Sequence, residues 1–172
     1  MASGKYKNDA TQILVVEDNR ADVKLLRCAL ETTGDWKVDL TVVGDGDKAV
    51  AYLEQSGAYG DRIRPDLVIL DLNLPKRTGP EILRWIRTHS ELYRLPAVLL
   101  SSNPRDFIRQ QVAEEGVEAD GYFTKPGDFH QLVAILGAIK SCYEEASRRL
   151  LKMPPRSAGM STGVRKKFGT LS

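Results

Sequence analysis

Ile13-Leu14-Val15-Val16-Glu17-Asp18 is an apolar run that stops on two carboxylates, and the pattern recurs along the chain. Leu67-Val68-Ile69-Leu70 stops on Asp71, Ala97-Val98-Leu99-Leu100 stops on Ser101, and Gly121-Tyr122-Phe123-Thr124 stops on Lys125-Pro126. Apolar runs this short, without clean alternation, read as strands covered on both faces of a parallel sheet. If the four belong to one sheet, their carboxyl ends share an edge, and open α/β sheets bind ligands at that edge. There the chain gathers three acids, a hydroxyl and a lysine.

The stretches around these runs support one sheet. A fifth run covers 38–43, and the predicted strands are 12–16, 38–43, 66–71, 97–101 and 121–124. Helical spacing fills the gaps: Val23, Leu26 and Leu30 in 21–33, Val50 and Leu53 in 47–55, Ile82, Leu83 and Ile86 in 78–88, and Phe107, Ile108 and Val112 in 105–115. Thr78-Gly79-Pro80-Glu81 has the form of a capping box, with proline in the first turn where its missing N–H costs nothing. Gly34 and Gly116 stand where helices end in left-handed geometry. Strict alternation of strand and helix predicts a three-layer α/β sandwich with right-handed crossovers. Residues 56–65, rich in glycine and charge, are predicted as a surface loop. The last helix, 128–152, carries Phe129, Leu132, Leu136, Ile139, Tyr143, Ala146 and Leu150 at alternating three- and four-residue steps, a heptad pattern. At about 37 Å it is longer than so small a sheet can cover, and its overhang is predicted to pack against another subunit.

Composition bounds the class. With 172 residues, 42 % hydrophobic and 28 % charged, the chain reads as one ordinary globular domain plus a short extension. No apolar run approaches the roughly 18 residues that span a bilayer, and the amino terminus has no apolar signal-peptide segment, so a cytoplasmic protein is expected. Cys28 and Cys142 lie in helical patterns without a CxxC spacing and read as buried small residues in a reducing compartment. From Arg148 onward there are seven basic residues and no acidic one, which leaves residues 1–147 with a net −5. The chain therefore divides into a flexible start at 1–10, a domain over 11–152 and a basic tail over 153–172, disordered or a docking segment for an acidic partner or nucleic acid.

The strand-end residues suit phosphoryl transfer to an aspartate. Donor and acceptor are both anionic, so a divalent cation must screen them, and Mg²⁺ takes oxygen ligands that include one or two carboxylates. Glu17, Asp18 and Asp71 supply that type and number; Lys125 supplies a point charge for phosphoryl oxygens and Ser101 a hydrogen bond. Catalysis is then positioning and charge neutralisation. Any one of these residues is more often structural, Asp18 or Asn19 as a helix N-cap for instance. Four successive strand ends carrying them together are not easily a coincidence.

Val15-Val16-Glu17-Asp18-Asn19, Asp71-Leu72-Asn73-Leu74-Pro75 followed by Gly79, Leu99-Leu100-Ser101-Ser102 and Tyr122-Phe123-Thr124-Lys125-Pro126 resemble, as an ordered set, the receiver domain of two-component response regulators over about 11–140. The resemblance implies a flavodoxin-like (βα)5 fold with sheet order 2-1-3-4-5. It implies that Asp71 accepts a phosphoryl group from a histidine kinase. Asp18, Asp71 and the backbone carbonyl of Asn73 would bind Mg²⁺, with Glu17 acting through a metal-bound water. Lys125 would pair with the phosphoryl group, Ser101 would swing towards it, and Tyr122 would follow by turning inward. The face built from the fourth helix, fifth strand and fifth helix would change, and with it a homodimer made there or through the last helix. Asn73 and Asn103 would tune phosphoryl lifetime. Glu17 and Ser101 stand where aspartate and threonine are more usual, and neither change removes the needed oxygen. The chain after the last helix is too short for a DNA-binding domain. The long loop and last helix look like stand-alone regulators partnered with phytochrome-type histidine kinases.

Three other readings remain open on the residues alone. Gly44-Asp45-Gly46-Asp47-Lys48-Ala49 fits a dinucleotide-binding G-x-G-x-x-A pattern, but its two acids fall where a pyrophosphate would sit. An Mg²⁺-dependent phosphatase with an aspartyl nucleophile would place a D-x-D pair after the first strand, and Glu17-Asp18-Asn19-Arg20 has none. A scaffold indifferent to phosphorylation would have no use for the intact acid, hydroxyl and lysine set.

Overall fold

Alternate residues of the central strands serve two different cores, which is why the runs show no polar alternation. Leu14, Val16, Val68, Leu70, Ala97 and Leu99 join one cluster, and Ile13, Val15, Leu67, Ile69, Val98 and Leu100 join the other. The two-residue period of a strand forces this when both faces are covered. In this computed structural model, which describes residues 9–154, the strands are β1 (Thr11–Val16), β2 (Val38–Val43), β3 (Leu67–Leu70), β4 (Ala97–Ser101) and β5 (Gly121–Thr124). The helices are α1 (Arg20–Thr32), α2 (Gly46–Leu53), α3 (Gly79–Thr88), α4 (Arg105–Glu114) and α5 (Phe129–Lys152). All strand pairs are parallel, in the order β2-β1-β3-β4-β5. This is the predicted flavodoxin-like sandwich. α2, α3 and α4 cover the first core through Leu53, Ile82, Leu83, Ile86, Ile108 and Val112; α1 and α5 cover the second through Leu26, Ala29, Leu30, Leu132, Leu136 and Ile139. Among the described residues no helix is long and apolar enough to cross a membrane. The start predicted as flexible and the basic tail lie almost wholly outside the described residues.

Capping sets where each helix begins. Asn19, not Asp18, caps α1, its side chain accepting from the N–H groups of Ala21 and Asp22. Thr78 and Glu81 close the predicted capping box on α3, and Asp128 caps α5. Gly34 and Gly116 take φ of +56° and +70° just past α1 and α4, where a side chain would be strained. Asp45 caps α2 by accepting from the N–H of Lys48 at 2.8 Å. That hydrogen bond holds the Asp45 carboxyl below its ordinary value; burial opposes the shift, and the charges of Lys76 and Lys48 add to it. A carboxylate with a depressed pKa stabilises the fold above its unfolded value and ceases to do so as pH falls through the folded one. Asp45→Ala is therefore expected to cost about 1 kcal/mol at neutral pH. The gap from wild type should close in thermal melts taken well below the ordinary 3.8 of an aspartate.

Several expectations from the sequence are corrected. β2 and β5 are not buried strands: only Val43 of β2 is buried and all of β5 is half-buried, because each is a sheet edge with one neighbour. Phe107 is 45 % exposed, since α4 turns only Ile108 and Val112 inward. Cys28 is exposed, outside the Leu26, Ala29 and Leu30 stripe, and Cys142 is half-buried with its thiol donating to the carbonyl of Asp120. The loop over 56–65 contains a single 3-10 turn, Gly57–Tyr59, and the Tyr59 ring lies against Tyr52.

The overhang of α5 meets the chain itself. Twenty-four residues make a helix of about 36 Å, against about 20 Å for the longest strands. Beyond the sheet, Tyr143 stacks on Trp36 with ring centroids 6.4 Å apart, Lys140 pairs with Asp35 at 3.0 Å, and Arg94 donates to the carbonyls of Met153 and Pro154. Leu132, Leu136, Ile139 and Ala146 of the heptad stripe are buried in the same chain. Much of the stripe is thus used within one chain, while Leu151 and Met153 at the end of the overhang stay exposed.

Candidate functional site

Register places the acids side by side. Val16 pairs with both Val43 and Leu70, so Glu17 and Asp71, each the next residue, emerge together at the carboxyl edge. The ladder continues one bond further, Asp71 N–H to the carbonyl of Val16 and Lys125 N–H to the carbonyl of Ser101. Carboxylate oxygens of Glu17, Asp18 and Asp71 lie within 4.8 Å of one another. Glu17 is buried, Asp71 half-buried and Asp18 exposed, a gradient from floor to rim. Backbone N–H groups orient two of them: that of Asn19 donates to Glu17 Oε1 at 2.9 Å and that of Leu72 to Asp71 Oδ1 at 2.6 Å.

Lys125 crosses from beyond β5 into this cluster. Its Nζ lies 2.5 Å from Glu17 Oε2, 2.9 Å from Asp22 Oδ2 and 3.2 Å from Asp71 Oδ2. Burial alone pushes the lysine down, but the hydrogen bonds to Glu17 and Asp22 and the charge of Asp71 outweigh it, so the ammonium is held above its usual value. Burial raises the Glu17 carboxyl, with the charge of Asp71 adding to the rise and Lys125 working against it. Asp22 is the partner the strand-end pattern does not select. It lies in the first turn of α1, past the Asn19 cap, where no strand-end pattern points to it.

Ser101 is fully buried at the end of β4, and its Oγ accepts from the Asn103 side-chain amide at 3.1 Å. The carbonyl of Asn103 in turn accepts from the hydroxyl of Thr124 at 2.9 Å, tying the β4 and β5 ends together. Tyr122 is half-buried against the core beneath α4, with its hydroxyl accepting from the N–H of Ala119. Asn73 is exposed two residues past Asp71. The cluster opens into a small cleft of about 50 Å³ lined in part by Glu17, Asp22, Leu25, Asp71 and Lys125.

The loop from β3 to α3 carries Asp71 and is clamped on two sides. Gly79 N–H donates to the carbonyl of Leu72, and a Cβ at Gly79 would stand 2.1 Å from the Asp71 carbonyl oxygen. Gly79→Ala must therefore move the backbone of the acid itself. It should cost about 2 kcal/mol in urea denaturation, in the range of overpacked sites. On the other side, Gly46 N–H donates to the carbonyl of Pro75, and a Cβ there would meet Arg77 at 2.5 Å. Asp45 and Asp47 pair with Lys76 and Arg77. The glycine-rich 44–49 stretch thus packs two loops together, and its acids are already engaged by cations of the second loop.

Chemically, three oxygen donors with open room for water suit a hard divalent cation such as Mg²⁺, and the ammonium beside them suits an anionic group. Residues 13–137 match the family model of the response regulator receiver domain. The response regulator Rcp1 of Synechocystis sp. is 34 % identical over 138 residues, covering 80 % of this chain and 92 % of Rcp1. Similar crystal structures include the phosphorylated cyanobacterial phytochrome response regulator RcpA, at 36 % identity and a TM-score of 0.69, covering 78 % of this chain and 94 % of that one. The Mn²⁺-bound form of Rcp1 superposes with a TM-score of 0.67 at 34 % identity, covering 76 % and 92 % of the two chains. With the receiver model spanning most of its length and Rcp1 34 % identical over most of both chains, the chain belongs to the response regulator receiver domain family.

Proposed function

We propose that the protein is a phospho-acceptor switch that takes one phosphoryl group onto Asp71 from the phosphohistidine of a histidine kinase. The observation that carries this is the convergence of Glu17, Asp18 and Asp71 within 4.8 Å, with Lys125 hydrogen-bonded to Asp71. Asp18, Asp71 and the carbonyl of Asn73 would hold Mg²⁺, with Glu17 contacting its water; the bound ion supplies neutralisation between two anionic reactants. An Asp71 carboxylate oxygen attacks phosphorus, the phosphorus–nitrogen bond breaks, and the imidazole leaves with the bonding pair. Lys125 takes up the charge on the phosphoryl oxygens. The Ser101 hydroxyl, free to rotate while it accepts from Asn103, donates a hydrogen bond to the new group. Tyr122 sits between that event and the α4–β5–α5 face, since its hydroxyl holds the loop before β5. Asn73 and Asn103 flank the path of the hydrolytic water and set how long the phosphoryl lasts.

Rcp1 and RcpA carry the remaining step: RcpA is a phytochrome response regulator, and we assign this chain a phytochrome-type histidine kinase as donor, in the cytoplasm. A homodimer through the α4–β5–α5 face or the end of α5 accords with the exposed Phe107, Leu151 and Met153. Phosphorylation can shift that equilibrium only by the difference in its interactions with the two states. The test is intact mass after incubation with acetyl phosphate. One phosphoryl adduct per chain with Mg²⁺, and none with EDTA, is the expected result. Repeated hydrolysis of small phosphate esters without an adduct would favour a phosphatase and defeat the proposal.

A further inference from the structure

Lys125 has three N–H donors, and each finds a carboxylate: Glu17, Asp22 and Asp71. Two of these acceptors also belong to the trio that converges for a cation; Asp22 does not. A dication arriving on Asp71, with its water against Glu17, meets the ammonium already seated on the oxygens of both. Like charges at contact repel strongly where water is partly excluded. Lys125 can yield those oxygens and stay at the site only if another acceptor holds it.

Asp22 has the placement for that. Its backbone N–H is fixed by the side chain of Asn19 in the first turn of α1. Its side chain is 31 % exposed against 6 % for Glu17, so it stands at the rim of the cleft, outside the metal trio. We propose that Asp22 is a positioning residue, which retains Lys125 at the rim while Glu17 and Asp71 turn to a divalent cation. The ammonium is thereby kept within reach of a phosphoryl group on Asp71. Asp22 itself touches neither ion nor phosphoryl. This rests on the reading of Glu17, Asp18 and Asp71 as a cation site.

A blander role is available to any acid in a first helical turn, where it complements the helix dipole whatever Lys125 does. A double-mutant cycle separates the two. Wild type, Asp22→Asn, Lys125→Met and the double variant are compared by calorimetric Mg²⁺ titration and by thermal unfolding in EDTA. With Lys125 present, loss of the Asp22 charge leaves the lysine to Glu17 and Asp71 alone, and Mg²⁺ must compete harder. Asp22→Asn should weaken Mg²⁺ binding about fivefold in that background and less than about twofold with Met at 125, the non-additivity expected of groups in contact. Asp22→Glu, which restores a carboxylate, should recover most of the affinity. Equal losses in both backgrounds, or no loss with Lys125 present, overturn the proposal while the cation site stands. A wild type that binds no Mg²⁺ overturns the cation reading and the proposal with it, and the unfolding data in EDTA then show whether the contact is purely structural.

Discussion

Asp71→Asn is expected to leave a folded protein that acquires no phosphoryl adduct from acetyl phosphate under conditions that label wild type fully. The amide oxygen can still accept from the N–H of Leu72, so the backbone arrangement at the end of β3 survives. The amide lacks the anionic oxygen that attacks phosphorus, and no neighbouring acid replaces it at the same position. Glu17 is buried and bound to both Asn19 and Lys125, and Asp18 faces solvent. Mg²⁺ affinity should fall at least about tenfold, since one of the carboxylates in the trio is gone. The checks are intact mass, circular dichroism and calorimetric Mg²⁺ titration on the same preparation. Adduct formation at a wild-type level would move the acceptor elsewhere and sink the assignment.

Lys125→Met should cost stability without the metal and much less with it. Without a cation, the variant leaves Glu17, Asp22 and Asp71 facing one another with their shared counter-charge removed. Breaking such a cluster from one side costs several kcal/mol when it is buried. With the lysine side chain 15 % exposed and Asp22 at the rim, about 3 kcal/mol is expected in urea denaturation in EDTA. In saturating Mg²⁺ the gap should narrow, because the cation meets no ammonium on Glu17 and Asp71, and its affinity should rise severalfold over wild type. The lysine is held above its ordinary 10.5, so its contribution is complete below that pH and is lost only as pH rises through the raised value. The EDTA gap should therefore show no lysine titration across the neutral range. Equal stability of the two proteins in EDTA would mean that Lys125 does not neutralise the cluster.

Strand ends were legible because the fold itself enforces their meaning. Four of the five runs stop at residues of a definite chemistry, and parallel pairing through right-handed crossovers leaves only one edge where those residues can meet. Glu17, Asp18, Asp71, Ser101 and Lys125 were all accessible to that reasoning. The glycine at 79 was legible as part of a motif, though the physical need, a Cβ 2.1 Å from the Asp71 carbonyl, is visible only in three dimensions. Asp22 was out of reach because it lies in a helix, and which helical side faces the edge depends on how α1 packs. The heptad stripe of α5 was legible as a pattern but not in what covers it. A stripe at that spacing states that one face is apolar, not what covers it, and here the Asp35–Trp36 turn and the segment carrying Arg94 fold beneath the helix.

The sequence by itself determined the alternation of elements, the capping box of α3 and the chemical inventory of one edge, while the sheet order came from the family resemblance. These follow from local periodicity, turn chemistry and a topological rule, each readable within a few residues or from their order. Only the tertiary structure decided that β2 and β5 are half-open edges, that α5 closes on its own chain, and that Lys125 is shared among three carboxylates. Those outcomes depend on which surfaces meet across tens or a hundred residues of chain, as Lys125 and Glu17 do over 108 positions, and no local pattern encodes a distance of that kind.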